Sequence, residues 1–333
     1  MKIKIVGAGW FGCHLAASLK DFPLHEVHLY DKSNTIFSGA SGNIPARLHL
    51  GAPHYPRSMI TQQACDNHRE DFMKHYGHTT RGVECNIYAI AKDNSLIDFG
   101  TYSLVLKNQI EMLTIHEPSE YGLQNVEGAV MIGERHIVVQ KAKEHFEKEL
   151  SNNIHLHLGS DEDPWEDKGY DLVIDCTFCA SDNLRVDRFE PCIVPQLKGP
   201  TWKAVTIMDG PFPSLYPWNE EKNLSSLSSA KWSPLSKECK TYEEAKNLLE
   251  TYNEEDLKER AHHMIDSMAH FYPKVKEYEL MDVMTSIRAM PLSAADTRLV
   301  DVVRLSDKLI RIRSGKIDAV IEAERTVKEM INE

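Results

Sequence analysis

Residues 2–12, KIKIVGAGWFG, decide how the rest of the chain reads. Lys2–Val6 is a short apolar run suited to a buried strand. It breaks at Gly7-Ala8-Gly9-Trp10-Phe11-Gly12, and Phe11–Leu19 then carry the small and apolar residues of a buried helix. A dinucleotide pyrophosphate needs a tight turn, a close backbone approach and a helix N-terminus with free N–H groups; Gly7, Gly9 and Gly12 supply these in that order. A second strand, Glu26–Tyr30, ends at Asp31, 19 residues beyond Gly12, where a carboxylate can accept hydrogen bonds from an adenosine ribose. The same charge repels a ribose 2′-phosphate, which leaves FAD or NAD. A glycine-rich turn that binds no nucleotide is the alternative reading.

Outward from this βαβ unit, residues 38–58 (SGASGNIPARLHLGAPHYPRS) are dense in Gly, Ser and Pro, yet carry Arg47, His49, His54, Tyr55 and Arg57. An irregular segment so loaded with chemistry reads as functional. Met59–Tyr76 reads as a helix, Val83–Ala91 and Ile110–Ile115 as strands, Ile137–Leu150 as an amphipathic helix and Asn153–Leu158 as a strand. Tyr170–Cys176, YDLVIDC, has the continuous apolar character of a buried parallel strand. Between Pro191 and Pro234 short strands rich in Pro and Ser suggest an antiparallel sheet, and Tyr242–Tyr272 is largely helical, with Glu254, Glu255 and Asp256 on a solvated face. Strands near Val283–Arg288 and Leu309–Arg313, the turn Ser314-Gly315-Lys316 and a helix from about Asp318 to Ile331 complete the chain. The expected class is α/β, with a Rossmann-like dinucleotide domain (1–58, 125–190 and 282–333) interrupted by a mostly antiparallel α+β substrate domain (59–124 and 191–281).

At 333 residues two domains are the natural expectation. Lys and Arg number 38 against 50 Asp and Glu, and the net charge of −12 disfavours nucleic acid and anionic lipid as partners. No apolar run is long enough to span a bilayer, and the glycines interrupt any signal-like N-terminus, so a cytoplasmic location is expected. Seven cysteines scattered over the chain, an odd number, fit free thiols.

The segment after the second strand separates flavin from nicotinamide. Ala40, Ser41 and Asn43 stand where the D-amino-acid-oxidase-like superfamily of FAD-dependent oxidoreductases carries an A-S-x-x-N-type loop, and the chain resembles that superfamily. Asn43–Gly51 with Tyr55-Pro56-Arg57-Ser58 is similar to the N-S-G-x-x-H-x-G...Y-x-x-x-S segment of its 2-hydroxyglutarate-dehydrogenase branch. Asp171–Thr177 lies where the family has a strand ending in Ala-x-Gly near the adenosine, and Ile287-Arg288 to Asp296 resembles its R-P-x-x-x-D stretch. The likeness covers about half the chain in three pieces. Two positions depart from it: Cys176-Thr177-Phe178 replaces Ala-x-Gly, and Ser314-Gly315-Lys316 replaces a Gly-His-Gly-like turn. The resemblance implies FAD held by Gly7, Ala8, Gly9, Trp10, Phe11, Gly12, Asp31, Lys32, Ser41, Gly42, Asn43, Arg47, Leu48, Thr177, Gly315, Lys316 and Ile317. A helix N-terminus after Gly315, reinforced by Lys316, would stabilise negative charge at N1 and O2 of a reduced flavin; an ordinary cap is the alternative.

The implied activity is oxidation of a small amine, amino acid or 2-hydroxy acid by hydride transfer to flavin N5, with oxygen or another carrier as electron acceptor. Catalytic candidates are His49, as base or flavin contact, Tyr55, and Arg288, which can hold a substrate carboxylate bidentately or serve as an ion-paired strand residue. Arg57 joins Tyr55 as a substrate-binding or loop-anchoring residue. Cys176 and Cys179 have CxxC spacing but no second ligand pair, and the adjacent His262 and His263 point apart on a helix, so no metal is expected. Trp202, Trp218, Trp232 and Tyr216 either line an aromatic pocket or pack a sheet. An NAD-dependent dehydrogenase and a non-catalytic FAD-binding protein remain as alternatives.

Overall fold

The structure, a computed structural model, describes residues 1–20, 25–44, 47–51, 59–107, 109–181, 186–291, 299–313 and 315–332. One sheet has six strands in the order Asp301–Ser306, Leu309–Arg313, Leu172–Asp175, Lys2–Val6, Glu26–Asp31 and Ile154–Leu158. All neighbours run parallel except the antiparallel pair Asp301–Ser306 and Leu309–Arg313. The first strand is therefore central. Ile3 and Ile5 are fully buried beneath helix Trp10–Leu19, as their apolar alternation requires. Trp10 is nearly fully buried and has the rings of Phe37, Phe72, Tyr76 and Phe146 at 5.2 to 5.6 Å. Behind it His14 bonds the Tyr76 hydroxyl through Nδ1 and Glu324 through Nε2 (2.8 Å), joining three helices.

A second sheet has eight strands in the order Glu279–Pro291, Val186–Lys198, Leu224–Ser229, Pro213–Asn219, Lys203–Met208, Cys85–Ala91, Val126–Ile132 and Met112–Ile115. It is mostly antiparallel; Lys203–Met208 runs parallel to Cys85–Ala91. Ile87, Val205, Leu215 and Leu227 from one face pack with Met264, Ile265 and Met268 of helix Glu254–Ala269. The other face presents Tyr88, Thr206, Ser214 and Tyr216. A small third sheet, Arg47–Leu48, Arg135–Ile137 and Thr80–Gly82, lies between these parts in sequence and carries Arg47.

Three details differ from the sequence reading. Val126–Ile132 forms a strand that its glycine disguises: a Cβ at Gly128 would stand 2.3 Å from the Phe99 ring, so close packing requires the residue that weakens the strand signal. Tyr242–Tyr272 resolves into two helices, 242–250 and 254–269, each opened by a capping box, Thr241 with Glu244 and Asn253 with Asp256. Glu254, Glu255 and Asp256 thus form a helix's first turn, where they complement its dipole. Asp301–Ser306 adds an antiparallel edge that the sequence did not announce.

Within the six-stranded sheet Asp175 and Arg311 face each other in register, Arg311 Nε donating to Asp175 Oδ2 at 2.9 Å, and both are buried. Removing the cation strands a buried carboxylate, which costs about 3–5 kcal/mol. Arg311→Ala is expected to lose stability on that scale, read as a lower urea midpoint with an unchanged slope.

Candidate active site

The glycine turn is built by contact. Gly7 has φ of +103°, and a Cβ there would stand 2.6 Å from the Cys176 carbonyl oxygen; a Cβ on Gly12 would stand 1.9 Å from the Gly7 oxygen. Gly9 caps helix Trp10–Leu19 without a side chain, and the turn opens onto the first amides of that helix, which helix geometry leaves unpaired. Ser41 Oγ accepts from Trp10 N–H at 2.9 Å. Asp31 Oδ2 accepts from Ala8 N–H at 2.7 Å and Oδ1 from Ser33 N–H at 2.8 Å; each oxygen keeps a lone pair for a ribose hydroxyl. A cradle that only glycine can form, with a carboxylate fixed at its rim, fits an adenine dinucleotide.

The other expected cofactor residues are distributed around this turn. Ala8 is fully buried and Phe11 packs into the core beneath it. Lys32 Nζ lies 5.0 Å from the centre of the Tyr242 ring. Ser41, Gly42 and Asn43 lie on the short helix Ala40–Asn43; a Cβ on Gly42 would stand 1.9 Å from the Phe37 oxygen, and Asn43 Nδ2 donates to Ser38 O and Thr285 O. Thr177 donates through N–H (2.9 Å) and Oγ1 (2.7 Å) to Asp175 Oδ1, so the Asp175–Arg311 pair shapes the Cys176-Thr177-Phe178 turn against Gly7. Leu48 is fully buried in the same core, and Ile317 packs against it. Gly315 precedes Lys316, which caps the short helix Ile317–Ala319 ahead of helix Val320–Asn332. Ser314 lies outside the described residues.

Arg47 points to the eight-stranded sheet. Its guanidinium carbon lies 3.9 Å from the centre of the Tyr216 ring, and it donates to Thr206 Oγ1 at 3.0 Å and Ser214 Oγ at 2.5 Å. Tyr88, Thr206 and Ser214 occupy one register row across three adjacent strands, with Tyr216 two residues further along, so strand alternation puts all four on one face. Glu134 is buried beside them, accepting from the Tyr88 hydroxyl at 2.5 Å and the Leu50 amide at 2.8 Å.

His49 Nδ1 lies 3.6 Å from Glu134 Oε1. Burial lowers the His49 imidazole to about 4; the Lys316 charge acts in the same direction, and Glu134 opposes them only in part. Burial would raise Glu134, but His49, the Tyr88 hydroxyl and the Leu50 amide outweigh it and hold the carboxyl below its ordinary range. Burial pushes the Cys65 thiol up to about 12, against the opposing pull of the Lys316 charge. Arg47, His49 and Lys316 therefore share one electrostatic environment with the buried carboxylate Glu134, and buried Asp318 lies within reach of Lys316. His49 is neutral at pH 7, a hydrogen-bonding ring rather than a proton store.

Arg288 lies on strand Glu279–Pro291 and donates to Glu190 Oε2 at 2.7 Å, while its buried Nε has no partner among the described residues. Tyr55, Arg57, His54 and Asp296 lie outside the described residues. All seven cysteines are free thiols, Cys179 buried and Cys176 partly so. His262 Nδ1 bonds Lys258 O and His263 stacks on Trp232 at 5.1 Å, so these histidines do not converge. Trp202 is 51% exposed, whereas Tyr216 is buried under Arg47. The sequence reading missed Tyr88, Glu134, Thr206 and Ser214. The one available signal was the polar pair Ser214 and Tyr216, two apart in an otherwise apolar strand.

Among the described residues no helix is long and apolar enough to cross a membrane. No family model matches the chain. The FAD-dependent monooxygenase FPY4 of Fusarium mangiferae is 29% identical over 339 residues, covering 99% of this chain and 90% of that protein. Glycine oxidase from Geobacillus kaustophilus superposes with a TM-score of 0.71 at 13% identity, covering 99% of this chain and 94% of its own. L-amino acid deaminase from Proteus vulgaris superposes with a TM-score of 0.70 at 12% identity, covering 100% and 94%. The glycine cradle, the parallel sheet with Asp31 at its rim, and these likenesses along nearly the whole chain agree: the chain has the fold of glycine oxidase and L-amino acid deaminase and is similar in sequence to an FAD-dependent monooxygenase.

Proposed function

We propose that the chain binds FAD in the glycine cradle and oxidises a small amine, amino acid or 2-hydroxy acid that carries a carboxylate. The observation that supports this reading is Arg47, held over Tyr216 and bonded to Thr206 and Ser214, with the greater part of its five N–H donors without a partner among the described residues. FAD, when bound, supplies a hydride acceptor at N5. Arg47 binds the substrate carboxylate, and the Tyr216 ring fixes the plane of its guanidinium. His49 orients the substrate's amino or hydroxyl group through a ring nitrogen, and Glu134 with Tyr88 holds the ring in place. Lys316, whose charge reaches His49, favours anionic character in the same site. Arg288, already paired with Glu190, offers its unpartnered Nε as a second carboxylate contact.

A second reading, oxygen insertion into the substrate, is favoured by the FPY4 likeness. Anaerobic mixing of the flavin-loaded protein with a panel of neutral amines, amino acids and 2-hydroxy acids distinguishes the two. Bleaching by a carboxylate-bearing substrate alone, and product free of label when 18O2 is admitted, supports dehydrogenation. Label in the product when a reduced nicotinamide is added as the two-electron donor, with the second oxygen atom leaving as water, supports monooxygenation, and no bleaching by any member in the absence of that donor overturns the substrate class.

Gly12→Ala protein is expected to purify with little or no flavin, because its Cβ would meet the Gly7 oxygen, while Gly39→Ala, with nothing within 4 Å, keeps its full complement; the ratio of flavin to protein absorbance reads both. Arg47→Met is expected to lower kcat/KM for a carboxylate substrate by about 10- to 100-fold, the scale of one charged hydrogen bond, mainly through KM. Because burial lowers the folded pKa of His49 to about 4, the ring stays unprotonated across neutral pH. The kcat/KM profile of the wild type and of His49→Asn should thus have the same inflections between pH 5 and 8, and an inflection near 6.5 lost in the variant would contradict this assignment.

A further inference from the structure

We propose that Glu26, His28 and His155 form a site for a divalent transition-metal ion of the zinc class, on the sheet face turned away from helix Trp10–Leu19. In strand Glu26–Asp31 the buried Val27 and Leu29 point to the core, so alternation sends Glu26, His28 and Tyr30 to the other face. Strand Ile154–Leu158 runs parallel beside it with His28 opposite His155 and Tyr30 opposite His157. Two short strands thereby place one carboxylate and three imidazoles on one surface at the edge of the six-stranded sheet.

The donor atoms already converge. Glu26, His28 and His155 each offer a ligand atom within 4.8 Å of the others. His28 Nε2 is 2.8 Å from Glu26 Oε1, and the rings of His28 and His155 lie 4.4 Å apart. Zinc bonds of about 2.0–2.2 Å in a tetrahedral site set donors roughly 3.3 Å apart, so rotation of the exposed His155 side chain closes the set without backbone movement. His28 Nδ1 is 3.0 Å from His157 Nε2; with a metal on Nε2, the Nδ1–H donates to His157, the orienting contact that metal-bound imidazoles require. The metal replaces the proton shared by His28 and Glu26. The nearby cations leave room for it: Lys4 is paired with Glu162, and Lys2 approaches Glu26 only to 3.8 Å on a solvent-exposed side chain. Two imidazoles and one carboxylate select zinc, nickel or copper over magnesium and calcium, and leave a coordination position for water. Bound metal would clip the edge strand to its neighbour and so stabilise the folded state by linkage.

The test is calorimetric titration of tag-free, flavin-loaded protein with zinc chloride, alongside magnesium chloride. Expected are one zinc per chain at micromolar concentration, a higher unfolding temperature with zinc, no comparable magnesium heat, and at least a tenfold loss of zinc affinity in His155→Asn with its flavin content unchanged. His157→Ala should weaken binding by about tenfold through its effect on His28 alone. Absence of zinc binding up to about 100 µM, equal binding of magnesium, or undiminished binding by both His155→Asn and Glu26→Gln would overturn the proposal. These readouts do not depend on turnover, so the site stands or falls apart from the proposed substrate chemistry.

Discussion

The helix that follows the first strand can approach the sheet only because residue 12 has no side chain. A single Cβ there would stand 1.9 Å from the Gly7 oxygen and lift helix Trp10–Leu19 away from the turn. Everything nearby is referenced to that contact. Trp10 enters its ring cluster from this helix, His14 reaches Tyr76 and Glu324 from it, and Ser41 meets its first amide. The Cys176 carbonyl closes the other side of Gly7, and its position depends in turn on Asp175 and Arg311. A dinucleotide cradle made by close packing tolerates no adjustment at its glycines, and its surroundings are correspondingly aromatic and rigid.

The candidate active site follows a different physical logic, in which charge is controlled by burial. Glu134 is removed from water yet kept ionised by hydrogen bonds, those from the Tyr88 hydroxyl and the Leu50 amide among them. His49, which feels both that carboxylate and the Lys316 ammonium, is kept neutral by burial. Arg47 satisfies part of its fork on hydroxyls rather than on a carboxylate, so its charge is not cancelled within the described residues.

The division between what the sequence disclosed and what it concealed has a physical cause. The cradle, Asp31 and the buried strands at 2–6, 172–175 and 309–313 were legible because each rests on a local pattern: a glycine spacing, an acidic residue at a strand end, an unbroken apolar run. His49, Arg47 and Lys316 were legible as candidates from the family-like loop and turn. The surface that meets Arg47 was not, because Thr206 stands 159 residues away and reaches it through strand register in the large sheet. The histidine cluster was hidden for the same reason: His28 and His155 are unremarkable apart, and only a parallel pairing puts them side by side.

The order of strands also constrains how the molecule is made. The central strand, residues 2–6, has its partners at 26–31 and 172–175, and the latter is covered in turn by 309–313, with Lys316 and Glu324 still to come. Synthesis delivers the glycine turn and strand 26–31 early, strand 172–175 near the middle and strand 309–313 late, so a nascent chain carries an exposed apolar strand edge until residues 309–313 are made. A polypeptide released before residue 309 would present that edge to chaperones and proteases.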